Sequence, residues 1–310
     1  MGNIAIRDAY GEALKELGGI NDKVVVLEAD VGGSSKSILF GREYPDRYYE
    51  VGISELNMVN MAAGMASEGL IPFTNTFSTF MATRGADPIQ SLIGYDKLNV
   101  KLAGTYVGLS DSYDGASHHG ITDMAFVRAI PNLTIITPGT PVEAKKAVFA
   151  AAEFDGPVYL RLSRAPAEEI YNENINFEIG KGIVVKDGSD VAIIVTGTLL
   201  PKAVAAAKAL EAEGINAAVI DMHTVKPLDE ELVLDYAKKT GAILTVEEES
   251  IYGGLYSAVA EVLAAKCPTI ADGIGVTDFA ESGNLDKLLE KYGFSAENIA
   301  AKAKALIARK

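Results

Sequence analysis

Glu55 opens a predicted helix within GISELNM (52–58), directly after the strand-like YYEVG. A carboxyl at that point most simply complements the positive end of the helix that follows, and a functional reading depends on the residues that accompany it. In TFSTFMATRGADP, Phe77 and Phe80 stand three residues apart, which puts both rings on one side if a helical turn begins there. Such a pair makes a wall for a planar heterocycle, or ordinary core packing. The segment DSYDGASHHG (111–120) holds His118 and His119 beside Asp114. A histidine near a carboxylate suits proton transfer near neutral pH, and a solvated loop histidine is the plain alternative. Adjacent histidines do not readily chelate one ion from a regular element, and no HExxH spacing occurs, so no metal site is expected within this chain.

Other chemistries lack their motifs. SYDGA, GTL and YGGLYSA are turn material, and none forms a GxGxxG between strand and helix. No GxxxxGK[ST] phosphate loop and no GxSxG nucleophile elbow occurs either.

The elements that must position these residues alternate between short β-branched runs and longer helical periods, the pattern of a wound parallel sheet. KVVVLEAD (23–30), IPFTNTF (71–77), NVKLAGTYVG (99–108), LTIITPG (133–139) and VYLRLS (158–163) are predicted strands. Helices are expected over 7–17, 55–67 and 141–154, the last capped by Thr140. From Ala165 to Asp190 the periodicity lapses, as in a surface connection, and the chain divides there into 1–175 and 176–310. Afterwards the alternation resumes with DVAIIVTG, NAAVIDMHTV, AILTVEEE and GIGVTDF as strands, so two α/β domains in tandem are expected. Open parallel sheets bind ligands beyond the carboxyl ends of their strands, where Glu55, Phe77 and the histidine loop all fall.

Length and composition agree with this division. The chain has 310 residues, with 48% hydrophobic and 23% charged, enough to bury two ordinary cores. Its formal charge of -14 repels polyanions, so nucleic acid is not an expected partner. The single cysteine, Cys267, excludes a disulfide within the chain. The apolar runs are too short to span a membrane, and MGNIAIRDAY has no secretory character, so a cytoplasmic location is expected.

Taken in register, EADVGGS (28–34), GISELNM (52–58), GLIPFTNTFSTF (69–80), DGASHHG (114–120) and LSRAP (162–166) resemble the pyrimidine-binding domain of the transketolase family. HTVKPLD (223–229) and EEESIYGGLYSAVAE (247–261) resemble that family's C-terminal domain. The resemblance covers essentially the whole chain. It implies two tandem three-layer α/β domains: a pyrimidine-binding domain with a parallel sheet and a Rossmann-like C-terminal domain with a mostly parallel one. It also implies thiamine diphosphate as cofactor and ketol transfer between sugar phosphates as the reaction. In that family the matched glutamate, Glu55 here, hydrogen-bonds the aminopyrimidine and promotes loss of the thiazolium proton. Phe77, Phe80, Asp30 and Val31 match positions lining the cofactor site. His118 and Asp114 match groups near the donor's hydroxyls, and Arg7, Ser34 and Arg164 match positions that receive the sugar phosphate, for which a guanidinium fork is well suited.

The departures are Tyr106 and Glu249, where many full-length members have histidines, and Thr83, where they have an aromatic. The family's GDG…N motif, which holds the diphosphate and a divalent metal such as Mg2+, does not occur in this sequence. The resemblance therefore implies a separate amino-terminal subunit carrying that motif, with self-association of this chain as a dimer. The β subunit of a 2-oxo-acid dehydrogenase first component and a deoxyxylulose-phosphate synthase share the same glutamate and layout. A non-catalytic binding module is the third alternative.

Overall fold

The computed structural model describes residues 4–310. Its strands follow from burial on both faces: Val24–Glu28, Lys101–Thr105 and Val158–Leu162 are buried at every position, which selects mostly apolar runs over alternating ones, and the one charged residue in each, Glu28, Lys101 or Arg161, is hydrogen-bonded. They lie in a seven-stranded sheet ordered Thr224–Lys226, Thr134–Ile136, Val158–Leu162, Lys101–Thr105, Ile71–Phe77, Val24–Glu28 and Tyr48–Glu50. A second sheet is ordered Ile270–Val276, Ala242–Ser250, Val191–Val195, Ala217–Asp221 and Ile183–Lys186.

Both sheets are parallel except at one edge. These edges depart from the expected pattern. NAAVIDMHTV is broken after Asp221, and Thr224–Lys226 leaves the second half to pair antiparallel with Thr134–Ile136 of the first. Ile183–Lys186 forms a strand inside the stretch that looked aperiodic, because an edge strand with mostly half-exposed residues shows no clean hydrophobic alternation.

The helix Glu55–Ser67 has the predicted bounds. Thr140 caps Pro141–Glu153 by accepting the Glu143 N–H, and Asp229 caps Glu230–Thr240 in the same way. One apolar cluster runs through both halves, joining Met58, Met81 and Met124 to Leu255 and Val259, and two others fill the remaining faces of the sheets. No described helix is long and apolar enough to cross a membrane.

Candidate functional site

Glu55 is the first residue of its helix, reached from the edge strand Tyr48–Glu50, and only 4% of it is exposed. Its Oε1 accepts from Arg84 Nη1 at 2.8 Å. Arg84 ends the helix Ser78–Arg84, and its guanidinium carbon lies 3.9 Å from the Phe80 ring centroid. Sequence reasoning missed Arg84 because nothing in the spacing of TFMATRGADP ties that residue to a carboxylate 29 positions earlier.

Phe77 is both the last strand residue and the cap of that helix, so Phe77 and Phe80 are brought together at a ring separation of 6.0 Å. His118 approaches both edge-on, at 5.9 and 5.3 Å. Its Nδ1 pairs with Ser117 Oγ at 2.9 Å. His119 is buried, and desolvation lowers its pKa. Asp114, on the same loop, is exposed.

Phe77 also packs 4.3 Å from Tyr106, the residue that joins the ring cluster to the basic end. Tyr106 follows the strand Lys101–Thr105, is buried, and adopts φ +61, a conformation uncommon for an aromatic residue. The guanidinium carbons of Arg7 and Arg164 each lie 5.1 Å from its ring centroid. Arg7 donates to the Tyr106 hydroxyl and to the Ser34 carbonyl, the latter at 3.0 Å. Arg164 donates to Asp111 Oδ1 at 2.6 Å. Burial raises the pKa of Asp111, and the neighbouring Asp114 carboxylate adds to the shift. Arg7, Ser34 and Arg164, drawn from three separate segments, thus converge around one tyrosine that the sequence marked only as a departure.

Asp30 and Val31 lie on the turn leading to Ser34, whose N–H donates to the Val31 carbonyl at 2.8 Å. Asp30 is exposed and Val31 half-buried. Glu28 beneath them accepts from the Val31 N–H at 3.0 Å and from Ser35 Oγ at 3.0 Å, and also from Ser37 Oγ. Burial nevertheless pushes its carboxyl up to about 7. A lone acid inside VVVLE was the available signal for this buried brace.

The departures each have a local partner. Thr83 is exposed and donates to the Thr79 carbonyl at 2.7 Å. Glu249 is buried and accepts from Arg161 Nη1 at 2.9 Å, while Arg161 also makes a two-point contact with Asp123 at 2.9 and 3.0 Å.

The donor set fits the ring half of thiamine diphosphate. It offers one buried carboxyl for a ring nitrogen and two phenyl faces for a planar heterocycle, with Arg84 engaging both the carboxyl and the Phe80 ring.

The family model for "Transketolase, pyrimidine binding domain" matches residues 2–168, and that for "Transketolase, C-terminal domain" matches residues 180–299. A putative transketolase C-terminal section from Methanocaldococcus jannaschii is 43% identical, over 95% of this chain and 94% of its own length. A 6-deoxy-6-sulfo-D-fructose transketolase subunit, SqwH, from Clostridium sp. (strain MSTE9) is 40% identical, over 98% of this chain and 95% of its own. Human transketolase is 37% identical over 99% of this chain, which spans only 49% of the human protein. Among solved structures, a split-gene transketolase described as an inactive beta4 tetramer superposes with a TM-score of 0.91 at 44% identity, covering 99% of both chains.

Proposed function

Because the chain belongs to the transketolase family, with family models over residues 2–168 and 180–299, we propose that it is the pyrimidine-side half of a two-chain transketolase. It moves a two-carbon ketol unit between sugar phosphates. An amino-terminal subunit with the GDG…N motif supplies the grip on the diphosphate and Mg2+. Residues 1–175 and 176–310 form its two units, and the active assembly holds two copies of each chain. The similarity to a protein named as a C-terminal section and to a split-gene structure supports the division between two chains.

The observation that carries this reading is one continuous line of contacts, from Glu55 through Arg84, Phe80, His118, Phe77 and Tyr106 to Arg7 and Arg164. It has a carboxyl at one end and paired guanidinium groups at the other. Thiamine diphosphate, when bound, supplies the nucleophilic carbon that accepts and returns the ketol unit. Glu55 holds or shares a proton at its carboxyl with the pyrimidine, and Phe77 and Phe80 seat that ring. Asp30 and Val31 border the ring. His118 orients the donor through its hydroxyls and moves their proton, while Asp114 helps to select their configuration. Arg7, Ser34 and Arg164 bind the terminal oxyanion.

The test is reconstitution with a GDG…N subunit, thiamine diphosphate and Mg2+. Transfer from xylulose 5-phosphate to ribose 5-phosphate is expected. Decarboxylation of pyruvate without ketol transfer would replace this reading with a 2-oxo-acid dehydrogenase subunit. The 40% identity to a sulfo-sugar transketolase subunit favours a second donor class, since paired guanidiniums accept a sulfonate as well as a phosphate. Measuring kcat/KM for 6-deoxy-6-sulfofructose against fructose 6-phosphate separates the two.

A further inference from the structure

The loop 106–121, which carries Asp114 and His118, closes on itself where the Gly108 N–H donates to the Gly120 carbonyl at 2.9 Å. That neck is gripped from the other half of the chain. Glu248, on the strand Ala242–Ser250, accepts from the Leu109 N–H at 2.9 Å through Oε1 and from Thr198 Oγ1 at 3.0 Å through Oε2. Gly108 adopts φ +59, and a Cβ there would lie 2.7 Å from the Cγ and Cδ of Glu248, so the backbone is shaped to admit this carboxyl. On the opposite strand of the neck, Arg161 donates to the Gly120 carbonyl at 3.1 Å while Glu249 holds its other nitrogen. The Ser250 N–H reaches the Ile121 carbonyl at 2.7 Å, and the Gly283 N–H reaches Ser112 at 2.8 Å.

Burial pushes Glu248 up to about 7, so the carboxyl carries a desolvation cost that an apolar side chain in the same strand would avoid. What it provides in return is a directional hold on one backbone amide of the substrate loop. We infer that Glu248 is a positioning residue for ketol transfer: by holding the neck of the loop from the C-terminal domain, it sets where His118 and Asp114 meet the donor's hydroxyls. The inference rests on the function proposed above, and it gives the C-terminal domain a part in substrate recognition.

The test compares Glu248→Ala, Glu248→Gln and Thr198→Val. Glutamine keeps an acceptor for Leu109, and valine removes only the contact within the second domain. In the chain alone, hydrogen exchange of amides 108–120 should rise at least tenfold in Glu248→Ala, with the strands of the second sheet unchanged, and stay near wild type in the other two. In the reconstituted enzyme, Glu248→Ala should lose at least tenfold in kcat/KM for xylulose 5-phosphate. It should lose less than threefold for hydroxypyruvate, which delivers the same two-carbon unit with release of carbon dioxide and has no further hydroxyls to orient. Glu248→Gln should recover the xylulose 5-phosphate activity. Unchanged exchange in 108–120, exchange rising throughout the second domain, or equal losses on the two donors would each overturn the positioning role. If the wild-type pair transfers nothing from either donor, the proposed function fails instead, and the exchange data still decide whether Glu248 holds the loop.

Discussion

Arg84 Nη1 sits 2.8 Å from Glu55 Oε1 while its guanidinium carbon lies 3.9 Å from the Phe80 ring centroid, so one side chain contacts two of the groups that a pyrimidine would use. A ring entering between Glu55 and Phe80 competes with this half-exposed cation. The Arg84 end of this pair is half exposed, although Glu55 is buried. Arg84→Ala removes the competitor and is expected to tighten thiamine diphosphate binding to the reconstituted pair by roughly twofold or more. A fluorescence or calorimetric titration checks this, and weaker binding in the variant would mean that Arg84 supports the ring rather than displacing it.

Glu55→Gln tests the proton-handling role directly. The amide fills the same space and can still meet Arg84, so thermal unfolding and subunit assembly should match wild type. Turnover should fall by at least about 100-fold, the scale of a lost general acid–base group. Activity within a factor of a few of wild type would remove Glu55 from the chemistry.

Tyr106→Phe isolates the hydroxyl that Arg7 contacts. The ring remains against Phe77 and between the two guanidiniums, but Arg7 is left with the Ser34 carbonyl as its hydrogen-bond partner. Losing one such bond costs about 1 kcal/mol. KM for a phosphorylated donor should rise three- to tenfold with kcat within twofold of wild type. Steady-state kinetics in which kcat fell and KM held would place Tyr106 nearer the reacting carbon than the oxyanion end.

Much of this site was legible because its parts lie at the carboxyl ends of strands that announce themselves. IPFTNTF is a strand over the predicted residues, and Glu55–Ser67 is a helix over the predicted residues, since burial of whole runs and a clear helical start leave little ambiguity. What stayed hidden depends on partners distant in sequence. Arg161, Asp123 and Glu249 are buried and pair with one another, while Glu247 and Glu248 accept from backbone N–H groups, and no spacing in the sequence announces these partners. Thr224–Lys226 looked like the end of a second-domain strand because periodicity reports burial, not which sheet does the burying. Tyr106 could be flagged as unusual, but only its fold-imposed backbone turn brings the two arginines around it.

Glu143 and Asp221 allow a pH prediction. They meet, buried, where the helix Pro141–Glu153 faces the end of the strand Ala217–Asp221. Glu143 Oε2 accepts the Gly139 N–H at 2.9 Å, and Tyr171 donates to Asp221 Oδ2 at 2.8 Å. The remaining oxygens, Glu143 Oε1 and Asp221 Oδ1, have no donor of their own, and a proton held between the two carboxyls satisfies both. Burial and then the Asp221 charge raise Glu143 well above its ordinary value, and burial also raises Asp221. Both folded values lie above the unfolded ones. The stabilisation from this pair is therefore complete below about pH 4 and is lost as pH rises through the folded values. Glu143→Gln installs a permanent N–H donor in place of the shared proton. The variant should gain steadily on wild type as pH rises from 5 to 8. Urea or thermal unfolding of the two proteins across that range reads the difference. His223, which burial holds at about 4, titrates alike in both and cancels from the comparison. Parallel pH profiles for the two proteins would show that no proton is shared between Glu143 and Asp221.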